Sequence, residues 1–83
     1  MDSNWRTEVI NRDNTCQCCG DNYKLEAHHI FPYKTFESLH NEVNNGIALC
    51  HFCHKKYHHH YGLNRDVNPV TLTEFIRKFG VRF

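Results

Sequence analysis

The sequence predicts a small α+β domain, a stapled core with one helix before it and one after. Three observations predict this. The chain has 83 residues, which reads as one domain over 1–83. A chain of this length buries too little apolar surface to be comfortably stable without a staple. Two Cys-x-x-Cys pairs, Cys16 with Cys19 and Cys50 with Cys53, have the spacing of thiolates that share one tetrahedral ion. Finally, the hydrophobic pattern is helical at both ends and strand-like between the pairs.

From the N-terminus, residues 3–12 read as a helix. Ser3 can cap it, and Trp5, Val9 and Ile10 fall on one side. Arg6 and Arg12 lie off that stripe, either as solvated charges or as phosphate contacts. Asp13-Asn14-Thr15 ends the helix and leads into Cys16. Cys16-x-x-Cys19-Gly20 looks like a zinc knuckle, with Gly20 free to take positive φ just past the turn. Cys18 is one residue short of that spacing and is expected to be a spare, partly exposed thiol.

Asp21-Asn22 is a turn, and Tyr23 to His28 alternates like a strand. A strand sends His28 and His29 to opposite faces, so the two neighbours cannot serve one ion from the same side. Pro32 closes that strand. Between 33 and 43, Tyr33, Phe36, Leu39, His40 and Val43 fit either a helical stripe or a long loop with one helical turn. Asn44-Asn45-Gly46 is a turn signal, and Ile47-Ala48-Leu49 is a short apolar strand expected to pair with 24–28. From His51 to Tyr61 the pattern is helical, with Gly62 as its stop. His54, Tyr57, His58 and Tyr61 share one face of it, while Lys55 and His59 turn away. Position 55 is Lys, so the zinc-protease pattern H-E-x-x-H is absent. A polar connector runs from Leu63 to Val70. Thr71-x-x-Glu74 reads as a capping box, and Leu72, Phe75, Ile76 and Phe79 form the apolar stripe of a helix at about 71–79 that Gly80 ends.

Taken together, several segments resemble the HNH, or ββα-metal, endonuclease family, in the branch with two zinc knuckles. These are Trp5-Arg6, Arg12-Asp13, Ala27-His28-His29-Ile30, the run from Asn45 to Cys50, and His54 directly after Cys53. The resemblance spans most of residues 5–62 and implies a zinc-stapled ββα-metal core over about 16–62. It implies metal-dependent hydrolysis of DNA phosphodiester bonds, leaving a 5′-phosphate and a 3′-hydroxyl. His29 matches the general base, and Asn45 the Asn that steadies the loop and orients that base. His28 and His54 match ligands of the catalytic divalent ion, with His58 as a possible third. Cys16, Cys19, Cys50 and Cys53 would hold structural Zn²⁺. Lys55 and Lys56, with Arg6 and Arg12, are the candidate nucleic-acid contacts. DNA is the expected partner, with RNA still open.

Charge and composition narrow the alternatives. The formal net charge is +1, too little to hold nucleic acid by bulk charge alone. Four thiolates and one Zn²⁺ lower that sum by two, and a second divalent ion restores it at the place where a phosphate would sit. Affinity for DNA is thus expected to depend on the second metal, which would be Mg²⁺, Mn²⁺, Ni²⁺ or Zn²⁺. No stretch approaches the ~18 apolar residues of a membrane span, and the first residues lack the pattern of a signal peptide. With paired thiols that favour a reducing compartment, these features point to an intracellular protein, of the cytoplasm or encoded by a phage or mobile element. The competing function is a zinc module that grips DNA or RNA without cutting it.

Overall fold

A computed structural model of the chain describes residues 3–31, 38, 41–62 and 67–80. The expectations for Pro32, for most of the 33–43 stripe, and for the connector at 63–66 lie outside the described residues. Helix α1 spans Ser3–Asp13, strand β1 Leu25–His29, strand β2 Gly46–Cys50, helix α2 His51–Tyr61 and helix α3 Pro69–Phe79, with a 3₁₀ turn at Val43–Asn45 before β2. Among the described residues, no helix is long and apolar enough to cross a membrane.

Helix α1 runs one residue further than its sequence pattern indicates. It ends where Asn14 takes φ 61° and its N–H donates to Ile10 O at 2.8 Å, a left-handed terminus that Asn tolerates better than most residues. Trp5 and Val9, one turn apart, are 1% and 0% exposed and lie on the sheet. The sheet accommodates them because residues opposed across the ladder share a face. His29 opposes Gly46 and Ala27 opposes Ala48, so small side chains form much of the floor under the helix. A Cβ at Gly46 would stand 2.8 Å from Trp5 Cζ2 and closer still to Val9 Cγ2. Arg12 locks the arrangement: its guanidinium holds Asp13 and donates to the carbonyls of Val43 (2.8 Å) and Gly46 (2.6 Å), while Asp13 accepts from Ala48 N (2.8 Å).

The two strands are antiparallel, from Leu25 opposite Cys50 to His29 opposite Gly46. The first begins two residues later than expected, because Tyr23 and Lys24 form a turn in which Lys24 has φ 49°. Helix α2 starts immediately at the end of β2, with Cys50 Sγ accepting from Cys53 N at 3.4 Å as its cap. It stops at Gly62, whose φ of 81° permits the reversal.

Helix α3 starts one turn earlier than the expected box at Thr71 and Glu74. Its cap is Asn68: the Asn68 side chain accepts from Thr71 N, and the Thr71 side chain answers the Asn68 backbone. Pro69 supplies a preset φ at the first helical position, which favours that start. The stripe of α3 works as its periodicity predicts. Leu72 and Phe75 are buried, and they join Leu49, Tyr57, Val67 and the cysteines in one core, with Ile76 and Phe79 packed against it.

Cys18 departs from expectation. It is 1% exposed and belongs to this core, and burial pushes its thiol pKa up. The end of α3 presses on the first knuckle, so that a Cβ on Gly80 would meet Cys18 O at 3.0 Å. The extra residue inside the knuckle turn therefore points into the core instead of to solvent.

Candidate metal centres and active site

Two clusters of ligand-type side chains converge on the ends of the sheet. In the first, the sulfurs of Cys16, Cys19, Cys50 and Cys53 lie within 4.8 Å of one another. Cys19 Sγ is 3.7 Å from Cys50 Sγ. Thiolates at ~2.3 Å around a tetrahedral zinc stand about 3.8 Å apart, so the spacing fits that ion. Each pair is set by a turn whose amides point at sulfur: Cys18 N and Cys19 N toward Cys16 Sγ, and Cys53 N toward Cys50 Sγ. Gly20 at φ 84° completes the first turn.

Burial opposes ionisation of Cys16, yet the amides of Cys19, Cys50 and Cys18 bring its pKa down to about 7. Burial pushes Cys19 and Cys53 up, Cys53 strongly, because its neighbours are also thiols. Four such groups ionise together only around a cation, so the donor set fits structural zinc.

The second cluster is His28, His54 and His58. The strand pleat sends His28 toward α2, where its ring meets Tyr57, His54 and His58 edge-on at 5.1–5.5 Å between centroids. One turn of α2 brings His58 Nε2 to 3.1 Å from His54 Nε2, and His28 Nδ1 stands 3.2 Å from the same His54 atom. Ligand nitrogens at ~2.0–2.1 Å around a tetrahedral zinc would be about 3.3 Å apart.

Hydrogen bonding sets two of these rings. His54 Nδ1 faces Glu26 Oε1 at 2.7 Å, and His58 Nδ1 faces the Gly62 carbonyl at 2.8 Å. Both oxygens accept, so both Nδ1 atoms carry a proton and Nε2 is the atom that each ring turns toward the other. A cation placed between them would take both Nε2 atoms as donors. His28 is 4% exposed, and its Nε2 is buried without a hydrogen-bond partner among the described residues. Burial, then the nearby His54, His58 and His29, push its pKa down to about 3, so its ring is neutral at physiological pH and suited to a cation. Burial lowers His54 as well. The cluster fits a divalent ion better than it fits protons.

His29 leaves β1 on the other face. Its ring stacks on Trp5, 3.9 Å between centroids and 7° from parallel. The indole is itself held, donating from Nε1 to Glu42 O at 2.7 Å. Asn45, 5% exposed, ties down the chain just after His29. Its Oδ1 accepts from Phe31 N at 2.8 Å, its Nδ2 donates to Phe31 O at 3.1 Å, and its carbonyl accepts from Ile30 N at 2.9 Å.

The four basic residues singled out from the sequence separate. Four of the five N–H donors of Arg12 are committed within the chain. Arg6, Lys55 and Lys56 are exposed, and Lys56 Nζ lies 4.1 Å above the Phe79 ring.

Glu26 escaped the sequence reading. It stands two residues before His28 and so on the same strand face, and its carboxylate reaches His54 through Oε1 and His51 through Oε2 at 3.0 Å. Those two hydrogen bonds outweigh its burial and hold its pKa below the usual value. The signal available in sequence was Glu-x-His on a strand, opposite His51 and His54 spaced i, i+3 on a helix.

Comparison with curated proteins gives no match, and comparison with solved structures gives none. A family model described as HNH endonuclease matches residues 16–60. That is more than half of the 83 residues, and the matched stretch contains both cysteine pairs, the histidine dipeptide, Asn45, His54 and His58. With the cysteine and histidine clusters formed from those same residues, the chain belongs to the HNH endonuclease family.

Proposed function

We propose that the protein is a metal-dependent endonuclease that hydrolyses DNA phosphodiester bonds. The observation that carries this reading is the convergence of three histidine nitrogens, two of them Nε2 atoms turned toward each other, beside a strand whose next residue is His29. His28, His54 and His58 would hold a divalent ion. Bound there, it would neutralise the charge that develops on the scissile phosphate and on the leaving oxygen.

The chain's own groups do the rest. His29 takes the proton of the attacking water, a task suited to an imidazole whose ordinary pKa is ~6.5. Trp5 fixes the plane of that ring, and Asn45 fixes the backbone that follows it. His28 stays neutral and available because it is buried. The Cys16–Cys19–Cys50–Cys53 centre would hold zinc and fix β2 and α2 against the first knuckle. Its thiolates need a reducing compartment, so the enzyme would work inside the cell. Arg6, Lys55 and Lys56 remain the candidate contacts to the phosphate backbone, while the bonds of Arg12 make it a clamp within the fold.

The test is a supercoiled-plasmid assay with wild type and His29→Ala, in EDTA, Mg²⁺, Mn²⁺ and Ni²⁺. Nicked or linear product is expected from wild type only and with metal only. All-imidazole ligation favours the later transition ions. Folded, zinc-loaded wild type that cuts with no ion refutes the proposal, as does His29→Ala cutting at the wild-type rate.

A further inference from the structure

Glu26 and His51 have no place in the roles just described, yet they make a connected path from the histidine cluster toward the surface. Glu26 Oε1 holds His54 Nδ1 at 2.7 Å and Oε2 holds His51 Nδ1 at 3.0 Å. The Glu26 side chain is 41% exposed and that of His51 45%, against 21% for His54. A partly exposed glutamate loses the entropy of its three rotatable side-chain bonds when it is pinned, so its double attachment is informative. His51 holds one oxygen, which leaves the other directed at His54.

We propose that Glu26, oriented by His51, is a positioning residue for the divalent ion of the histidine cluster. This rests on the proposal that His28, His54 and His58 hold that ion. Three physical effects follow from the geometry. The hydrogen bond assigns the His54 proton to Nδ1, which leaves Nε2 as the donor atom. It fixes the ring rotation, so that Nε2 stays 3.1–3.2 Å from the other two ligand nitrogens. The carboxylate charge also makes the imidazole a better electron donor, as carboxylate partners of metal-bound histidines do in general. The topology makes this economical. Glu26 and His28 occupy alternate positions of β1, and His51, His54 and His58 follow one side of α2, so a single strand–helix contact carries both the ligands and their support.

The experiment is calorimetric titration of Ni²⁺ into zinc-loaded protein, for wild type, Glu26→Ala, Glu26→Gln, His51→Ala, His54→Ala and the double variant that combines Glu26→Ala with His54→Ala. Near-UV circular dichroism verifies the fold of each variant. Glu26→Ala should weaken Ni²⁺ binding ~10–100-fold. Glu26→Gln, which keeps an acceptor for His54 but not the charge, should fall between wild type and Glu26→Ala. His51→Ala should weaken binding by a few fold, since it removes only the outer support. In a His54→Ala background, Glu26→Ala should have no further effect, because its action runs through His54; a purely structural role would add its loss in either background.

Folded Glu26→Ala and Glu26→Gln that both bind Ni²⁺ within twofold of wild type overturn the inference. Should Glu26→Ala not fold, Glu26→Gln and His51→Ala decide by the same criterion. Wild type that binds no Ni²⁺ beyond its zinc overturns the histidine metal site itself, and this inference with it. Wild type that binds Ni²⁺ and nicks plasmid while the Glu26 variants bind unchanged overturns this inference alone.

Discussion

Replacing Gly46 with Ala adds a single methyl group, and the structure makes it an expensive one. Gly46 has φ −125° and ψ 150°, which alanine adopts freely, so no backbone strain enters. The obstacle is space. The new Cβ would lie 2.8 Å from Trp5 Cζ2, with Val9 Cγ2 closer, whereas carbon atoms pack at ~3.5–4.0 Å. Both neighbours are fully buried and have no free side to turn to. Relief therefore requires α1 to lift off the sheet by roughly 1 Å, against the Arg12 clamp. Overpacking of this kind costs about 1–3 kcal/mol, and a domain of this size loses about 4–8 °C of Tm per kcal/mol. A fall of roughly 5–20 °C is expected by differential scanning calorimetry of the zinc-loaded protein. The same displacement moves Trp5, on which His29 stacks at 3.9 Å. A catalytic group shifted by ~1 Å can lose on the order of a hundredfold in rate, so plasmid nicking should fall more than stability alone explains. Adding Val9→Ala should recover part of the melting temperature, making the pair less destabilising than the sum of the singles. An unchanged melting temperature for Gly46→Ala would show that α1 does not rest on β2 as described.

Two further outcomes are expected. Cys50→Ser replaces one of the four clustered thiols with a hydroxyl that is a poor zinc ligand, although a serine could still cap α2; since structural zinc contributes ~10 kcal/mol or more in small modules, thermal scans should show no cooperative transition, and a wild-type melting curve would refute the staple. His28 gives a pH signature in zinc-loaded protein without a second ion. Its folded pKa of about 3 lies below the ordinary 6.5, so between those values the unfolded chain binds the extra proton and stability falls as pH falls. Relative to His28→Gln, wild type should lose about 1.4 kcal/mol per pH unit below ~6 in urea unfolding, and parallel stability curves for the two proteins would remove the premise.

Much of the site was legible because it depends on local spacing. Cys-x-x-Cys forms one turn and brings two sulfurs to one point whatever surrounds it. The i, i+4 relation puts His54 and His58 on one helical face, and the strand pleat sends His28 and His29 apart. Illegible features depend on residues distant in sequence. Tyr23 alternates like a strand residue, but the turn at Lys24 shortens β1 to Leu25–His29. Cys18 looks like an exposed spare until Leu72, Phe75 and the end of α3 close over it. Arg12 reads as a free cation until the carbonyls of Val43 and Gly46, more than 30 residues on, take up its donors.

The sequence by itself determined the two cysteine turns and the faces of β1 and α2 that carry His28, His29, His54 and His58, because helix and strand periods are properties of the backbone, while the grouping of His28 with His54 and His58 followed from the family resemblance. Only the tertiary structure decided which groups support those ligands. Glu26 became the partner of His51 and His54, and Trp5 the platform for His29, because the antiparallel register and the packing of α1 and α2 on opposite faces of β1 brought them together. A carboxylate or an indole acts on an imidazole only within a few ångströms, and no spacing along the chain records that distance.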